Sequence, residues 1–169
     1  MALRTLHELM LEQLRDVYSA EKQIVKALPG MITRACDDEL RGALQEHLTV
    51  TEGQVERLDI VFEELAQSSR GKKCRGMAGL LEEGKEVLEE EGEDTVIDAA
   101  IIAAARRVEH YEIAAYDTLI GFAQQMEHTR VVELLQQSLA EEKAADATLT
   151  AICEASMERM PPMEGVEQR

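Results

Sequence analysis

Three acidic residues, Glu21, Glu112 and Glu142, occupy positions where an apolar side chain belongs. A three-four spacing from Val17 to Ile24 passes through Glu21. The same spacing from Val108 to Ala115 passes through Glu112, with Glu109 one turn earlier, and from Leu135 to Leu149 through Glu142, with Asp146 one turn later. A further stripe carries His47, Thr51 and Gln54. A carboxylate inside an apolar bundle costs several kcal/mol unless it is paired, protonated or bound to a metal. One such acid commonly lies at the edge of its stripe, in water. Acids from three helices converging near mid-bundle are instead what a dinuclear carboxylate site requires, with hard oxygen ligands around one or two divalent cations. His7, His110 and His128 read more simply as surface residues, Glu89-Glu90-Glu91 as a solvated run, and the methionines as core filler.

Helices must carry these side chains. Among 169 residues there are no Trp, two Phe, three Tyr and three Pro, while Ala, Leu, Glu and Met abound, a balance that reads as all-α. Apolar positions from Leu3 through Leu14 and Val17 to Met31 place a helix over residues 3–34, with Pro29-Gly30 near its end to kink or shorten it. A second helix is expected from about Asp37 to Gln67, capped by Asp37 or Asp38. Ser68-Ser69-Arg70-Gly71-Lys72-Lys73 follows as a polar, basic loop. Residues 77–91 read as a short amphipathic helix ended by Gly92, and a third long helix runs from Asp94-Thr95 to about Glu127. A fourth spans about Thr129 to Met160, where Pro161-Pro162 stops it, leaving residues 161–169 as an expected mobile tail.

The connections give these helices a topology. Short loops make neighbours antiparallel, whereas a connection of roughly 30 residues lets the third long helix start at the same end as the second. The expected architecture is all-α: a single ferritin-like four-helix bundle over residues 1–160, with a long crossover containing a short helix. Similarity between the halves agrees. Tyr18-Ser19-Ala20-Glu21 lies on Glu109-His110-Tyr111-Glu112, and Leu48 through Gln54 on Ala140 through Asp146, matching Val50 with Glu142 and Gln54 with Asp146.

Charge narrows the partners. A net charge of −16 repels phosphate backbones and anionic lipid, so neither nucleic acid nor membrane is expected as a partner, while divalent cations are attracted. The longest apolar run, Ala99 to Ala105, falls far short of the roughly 20 residues of a membrane span, and residues 1–8 lack a signal-peptide core. Cys36, Cys74 and Cys153 are odd in number and widely spaced, which suggests free thiols and a cytoplasmic home. No P-loop, dinucleotide glycine pattern, nucleophile elbow or zinc-finger spacing is present, so kinase, dehydrogenase and hydrolase readings have no support, and no organic cofactor is indicated.

Four ordered motifs resemble the YciE/YciF-type ferritin-like stress proteins of bacteria. They are Asp16-Val17-Tyr18-Ser19-Ala20-Glu21-Lys22-Gln23, Lys73-Cys74-Arg75-Gly76-Met77-Ala78-Gly79-Leu80, Glu109-His110-Tyr111-Glu112-Ile113-Ala114 and Leu139-Ala140-Glu141-Glu142-Lys143-Ala144-Ala145-Asp146. The resemblance covers residues 3–157. It implies a ferritin-like bundle, commonly dimeric, with a di-metal site and a link to stress responses. The family tends to carry a Glu pair where this chain has Thr49-Val50, so that Gln54 is left as a neutral substitute for a missing acid. Ferritin-like oxidases usually present two Glu-x-x-His motifs, and Glu109-x-x-Glu112 is the nearest equivalent here.

The expected metal ligands are therefore Glu21, Gln54, Glu109, Glu112, Glu142 and Asp146. The candidate metals are Fe, Mn or Mg, and a set without His would be hard and oxygen-rich, tilting toward Mg, Ca or Mn over redox-cycling iron. The expected function is a stress-associated, non-storage metal protein, a homodimer rather than a cage. Any enzymatic activity would be a weak metal-dependent oxidase or peroxidase-like chemistry. The competing expectation is a metal-free dimeric helical module whose inner acids are protonated or hydrogen-bonded to Tyr18, Thr51 and Gln54.

Overall fold

Local chemistry sets where each helix begins and ends. Thr5 and Glu8 form a capping box: the Thr5 hydroxyl accepts from the Glu8 amide at 3.1 Å, and the Glu8 carboxylate accepts from the Thr5 amide at 3.1 Å. They start α1 (Leu6–Arg34). Asp37 caps α2 (Asp38–Glu64) by accepting from the amides of Glu39 and Leu40. The crossover helix α3 (Arg75–Glu89) begins on Cys74, two residues earlier than its apolar pattern suggests. Then follow α4 (Asp94–Gln125) and α5 (Thr129–Arg159). The computed structural model describes residues 3–159, with no strand among them. Pro161-Pro162 and the expected tail lie outside the described residues.

The ends of α1 and α2 have identifiable causes. Pro29 does not shorten α1, which continues to Arg34. The proline is exposed, and the Thr33 hydroxyl donates to its carbonyl at 2.8 Å. The second helix stops at Glu64 rather than Gln67, because Ala66 adopts a left-handed φ of 50°. Its amide bonds to Glu63 O and that of Gln67 to Phe62 O, a Schellman ending. Glu127, with φ 58°, ends α4 in the same way through Gln124 O and Ala123 O.

Residues 35–37 and 126–128 are the only links within the α1–α2 and α4–α5 hairpins. Helices this long joined so tightly must pack antiparallel. Contacts of α1 with α4 and of α2 with α5 close the four-helix square, and α3 lies across α1 and α4. Buried Asp98, near the start of α4, accepts from the amides of Cys36 and Asp37 at 2.8 Å each, tying the first hairpin's turn to the second hairpin.

Apolar side chains form two separate clusters. One is built on Ile24, Leu40, Leu44, Met77, Ile101 and Ile102, the other on Met10, Leu14, Leu58, Tyr116, Leu119 and Leu135. On every long helix the change from one cluster to the other coincides with buried polar residues: Glu21 on α1, His47 to Gln54 on α2, Glu109 and Glu112 on α4, Glu142 on α5. The bundle therefore has a polar waist between two apolar cores. Among the described residues, no helix is long and apolar enough to cross a membrane.

Candidate metal centre

The waist gathers side chains from all four long helices. Glu21, Thr51, Gln54 and Glu142 are 0% exposed, Glu109 and Glu112 1%, and His47 8%. One ligating atom each from His47, Glu109, Glu112 and Glu142 can be chosen so that all four lie within 4.8 Å of one another. His47 Nε2 is 3.2 Å from Glu109 Oε1 yet not aligned as a hydrogen bond. The placement follows from helix periodicity. Glu109 and Glu112 are one turn apart on α4, and His47, Thr51 and Gln54 descend one face of α2.

A few bonds hold this cluster. The Tyr116 hydroxyl donates to Glu21 Oε1. The Gln54 amide donates to Glu142 Oε1 and, at 3.1 Å, to Glu141 Oε2. Arg57 grips both oxygens of Glu141 at 2.8 Å and also donates to Ser138 Oγ, locking α2 to α5 beside the cluster. The Thr51 hydroxyl donates to the His47 carbonyl at 2.8 Å, so it supports the backbone rather than the acids.

Among the described residues seven buried polar atoms have no hydrogen-bond partner: Glu21 Oε2, His47 Nε2, Gln54 Oε1, Glu109 Oε2, both Glu112 oxygens and Glu142 Oε2. Buried acceptors left unmatched at this density are rare in folded proteins. Burial raises every acid in the group. Glu21 is pushed up to about 8 by burial and then by the neighbouring Glu142 charge. Glu109 is held well above the carboxylate range by burial and then by Glu142, and Glu112 by burial and then by Glu21. Glu142 is also raised by burial, against the opposing pull of hydrogen bonds from Glu109 and Gln54 that favour its ionised form. His47 is lowered to about 4 by burial, which leaves a neutral imidazole near pH 7.

The donor set fits a divalent cation. A neutral imidazole and several carboxylates that resist ionising together present lone pairs to one point, and a cation there would favour the ionised acids. The expectation of a site without histidine is corrected: His47 stands within the group, on the apolar stripe whose spacing already included it. Its nitrogen adds to the hard oxygen donors a ligand type that also suits iron. Glu109, Glu112 and Glu142 are brought together as ligand candidates, with Glu21 and Gln54 beside them. Asp146 is directed elsewhere, to Arg106 Nε at 2.7 Å and His110 Nε2 at 3.3 Å. Tyr18 meets Phe62 edge-on rather than an inner acid.

A groove of about 240 Å³ between α2 and α5 leads from the surface to His47 and Glu109. Its walls include Ala43, Leu44, Val50, Ala144, Ala145 and Leu149, so its lining is largely apolar.

A ferritin-like bundle with a buried carboxylate–histidine cluster is thus the class that fold and site define. The chain belongs to the family described as a domain of unknown function, DUF892, whose model matches residues 5–160. It is 43% identical over 151 residues to protein YciF of Escherichia coli, covering 89% of this chain and 91% of that protein. The crystal structure of the E. coli stress protein YciF superposes with a TM-score of 0.91 at 40% identity, covering 94% of this chain and 100% of the other. YcfI from Rhodopseudomonas palustris gives a TM-score of 0.85 at 47% identity, over 88% and 94% of the two chains. Protein XCC3681 from Xanthomonas campestris shares the fold at 19% identity, with a TM-score of 0.72 over 91% and 94%.

Proposed function

We propose that the waist is a divalent-cation centre held by His47, Glu109, Glu112 and Glu142, with Glu21 and Gln54 completing its surroundings, in a cytoplasmic stress-associated homodimer that does not store iron. The observation that carries this reading is the convergence of His47, Glu109, Glu112 and Glu142, whose ligating atoms can lie within 4.8 Å of one another while each residue keeps an unmatched buried atom. A bound cation would satisfy them together and remove the mutual repulsion that raises the acids. Iron and manganese suit the mixed nitrogen and oxygen donors, and magnesium suits the carboxylates alone. An oxidase or peroxidase-like reaction would need an approach to the cation, and the groove reaching His47 and Glu109 supports one. Asp146 belongs to the outer surroundings in this reading, fixing Arg106 at the α4–α5 seam.

One observation favours a second reading, a metal-free helical module. Glu21 interacts with Glu112, and Glu109 with Glu142, as pairs able to share protons. Proton sharing would keep the waist neutral without a cation. Elemental analysis of protein purified without a histidine tag separates the two. About one or two equivalents of Fe or Mn per chain, lost in Glu112→Ala, supports the metal centre. Metal-free protein that takes up none of Fe(II), Mn or Mg supports the module.

A further inference from the structure

The crossover loop that precedes α3 folds over α1 and makes a second, unrelated site. Arg15, Lys22 and Lys26 from α1 and Arg70, Lys72 and Lys73 from the loop line one groove of about 680 Å³, and no Asp or Glu lines it. The chain as a whole carries 34 acids against 18 bases, so six bases on one surface without an acid is the reverse of its composition. Among the described residues none of the six forms an ion pair, although Arg41, Arg57, Lys85, Arg106 and Arg130 elsewhere each have one. Two neighbouring acids, half-buried Asp16 and exposed Asp59, have partners of their own. Asp16 accepts from the Tyr111 hydroxyl at 2.6 Å, and Asp59 faces the Tyr18 hydroxyl.

The groove is built rather than incidental. Arg15 Nε donates to Ser68 O at 2.9 Å, which pins the loop to α1. Gly71 lies so close to that helix that a Cβ would come within 2.6 Å of Arg15 Cβ, a contact only glycine permits. Lys22 Nζ sits 5.0 Å from the centre of the Tyr18 ring, which holds its charge over the groove wall.

We propose that this groove binds a compact polyphosphate anion, either a short inorganic chain or the phosphates of a nucleoside triphosphate. Six cations lining one groove with no acid among them repel one another, and a ligand with three or four negative charges relieves that repulsion. Compactness follows from the net charge of −16. An extended nucleic acid would run from the groove onto acidic surface, whereas a small anion stays within about one Debye length, roughly 10 Å, of the six cations.

The test uses full-length protein stripped of divalent cations and then freed of chelator, so that the waist cannot contribute. Calorimetric titration with tripolyphosphate and with ATP should give saturable one-to-one binding that weakens as salt is raised from 50 to 200 mM. Arg70→Ala with Lys72→Ala should weaken it by about tenfold or more, the scale of losing charge-assisted contacts. Gly71→Ala keeps all six charges but displaces the loop, and should also weaken it. Lys85→Ala, which removes an exposed base outside the groove, should leave it unchanged. Absence of saturable binding by both anions overturns the proposal, as does undiminished affinity in the double variant or in Gly71→Ala. A 20-nucleotide RNA binding more tightly than tripolyphosphate would overturn the choice of a compact ligand.

Discussion

Tyr116 lies four residues after Glu112 on α4, and its hydroxyl, 0% exposed, is the donor that holds Glu21 on the facing α1. The bond leaves one Glu21 oxygen, Oε2, unmatched on the side of the acid cluster. Burial raises the tyrosine well above its ordinary range, so it remains a donor at any physiological pH. Tyr116→Phe should therefore cost about 1–2 kcal/mol in metal-free protein, the penalty of leaving a buried acceptor unsatisfied. It should also lower divalent affinity by releasing Glu21. Urea unfolding with chelator, paired with titration of Mn, checks both effects.

Val50 is half-buried beside His47 on the groove wall, at the position where the family resemblance leads to the expectation of an acid. Val50→Glu should strengthen binding of divalent cations and raise the metal-saturated melting temperature, since ligand bound only to the folded state stabilises it by about 2.7 kcal/mol at a hundredfold excess over Kd. In metal-free protein it should destabilise, by about 1 kcal/mol or more, because another poorly solvated acid joins the cluster. Glu112→Ala should show the opposite pair. Thermal melts with Mn, Fe(II) and Mg, each against chelator, test this, and unchanged affinity for all three metals in Val50→Glu would sink the half-built-site idea.

Stability should depend on pH with a sign that metal reverses. A carboxyl whose folded pKa lies above its unfolded value contributes fully at low pH and loses that contribution as pH rises through the folded value. For Glu21 the loss runs from the ordinary carboxylate range up to about 8, and the raised Glu109, Glu112 and Glu142 add to it. His47, lowered to about 4, acts oppositely, losing stability as pH falls from the ordinary imidazole range towards 4. Between pH 6 and 8 the acids dominate, so chelated protein should melt lower at pH 8. Saturation with Mn should invert that order, because metal competes with protons for the same oxygens. Melting curves at the two pH values, with and without Mn, give the sign directly.

The three cysteines should differ sharply in reactivity. All are free, with Cys36 exposed, Cys153 half-buried and Cys74 buried beneath the crossover against Asp16 and the Tyr111 hydroxyl. Burial pushes the Cys74 thiol up, further slowing attack. A thiol reagent should label Cys36 first and Cys74 only on unfolding, with three thiols counted in denatured, unreduced protein. One thiol instead of three would mean a disulfide.

The expected assembly is a homodimer. Light scattering at several concentrations should give twice the chain mass of 18.9 kDa. A stable particle of ten or more chains would contradict it.

Much of the fold was legible because the stripes are long and their breaks chemically marked. Val17, Ile24, Val108, Leu135 and Leu149, the apolar positions that frame the acidic stripes, are all buried, and so are Glu21, Glu112 and Glu142 within them. What was illegible was rotation. Four residues advance a helix by about 400°, so Asp146 turns roughly 40° away from Glu142, enough to bring it to Arg106 at the seam. His47 lay on a readable stripe, but a lone histidine among leucines does not reveal that it faces Glu109 from another helix. The left-handed turn at Ala66 carries no glycine to announce it, and the end of α2 was read three residues late.

The polar waist of acids, His47, Thr51 and Gln54 divides the bundle into two apolar cores. Without a cation, each half can open while the other stays shut, since little apolar contact couples them across the waist. With a cation bridging α2, α4 and α5, opening either half would break the same coordination shell. Native-state hydrogen exchange should therefore resolve two independently opening units in chelated protein, with amides near Leu119 and Leu135 opening at a different free energy from those near Ile101 and Leu44. Metal loading should merge them into one, making the cation a determinant of folding cooperativity as well as of chemistry.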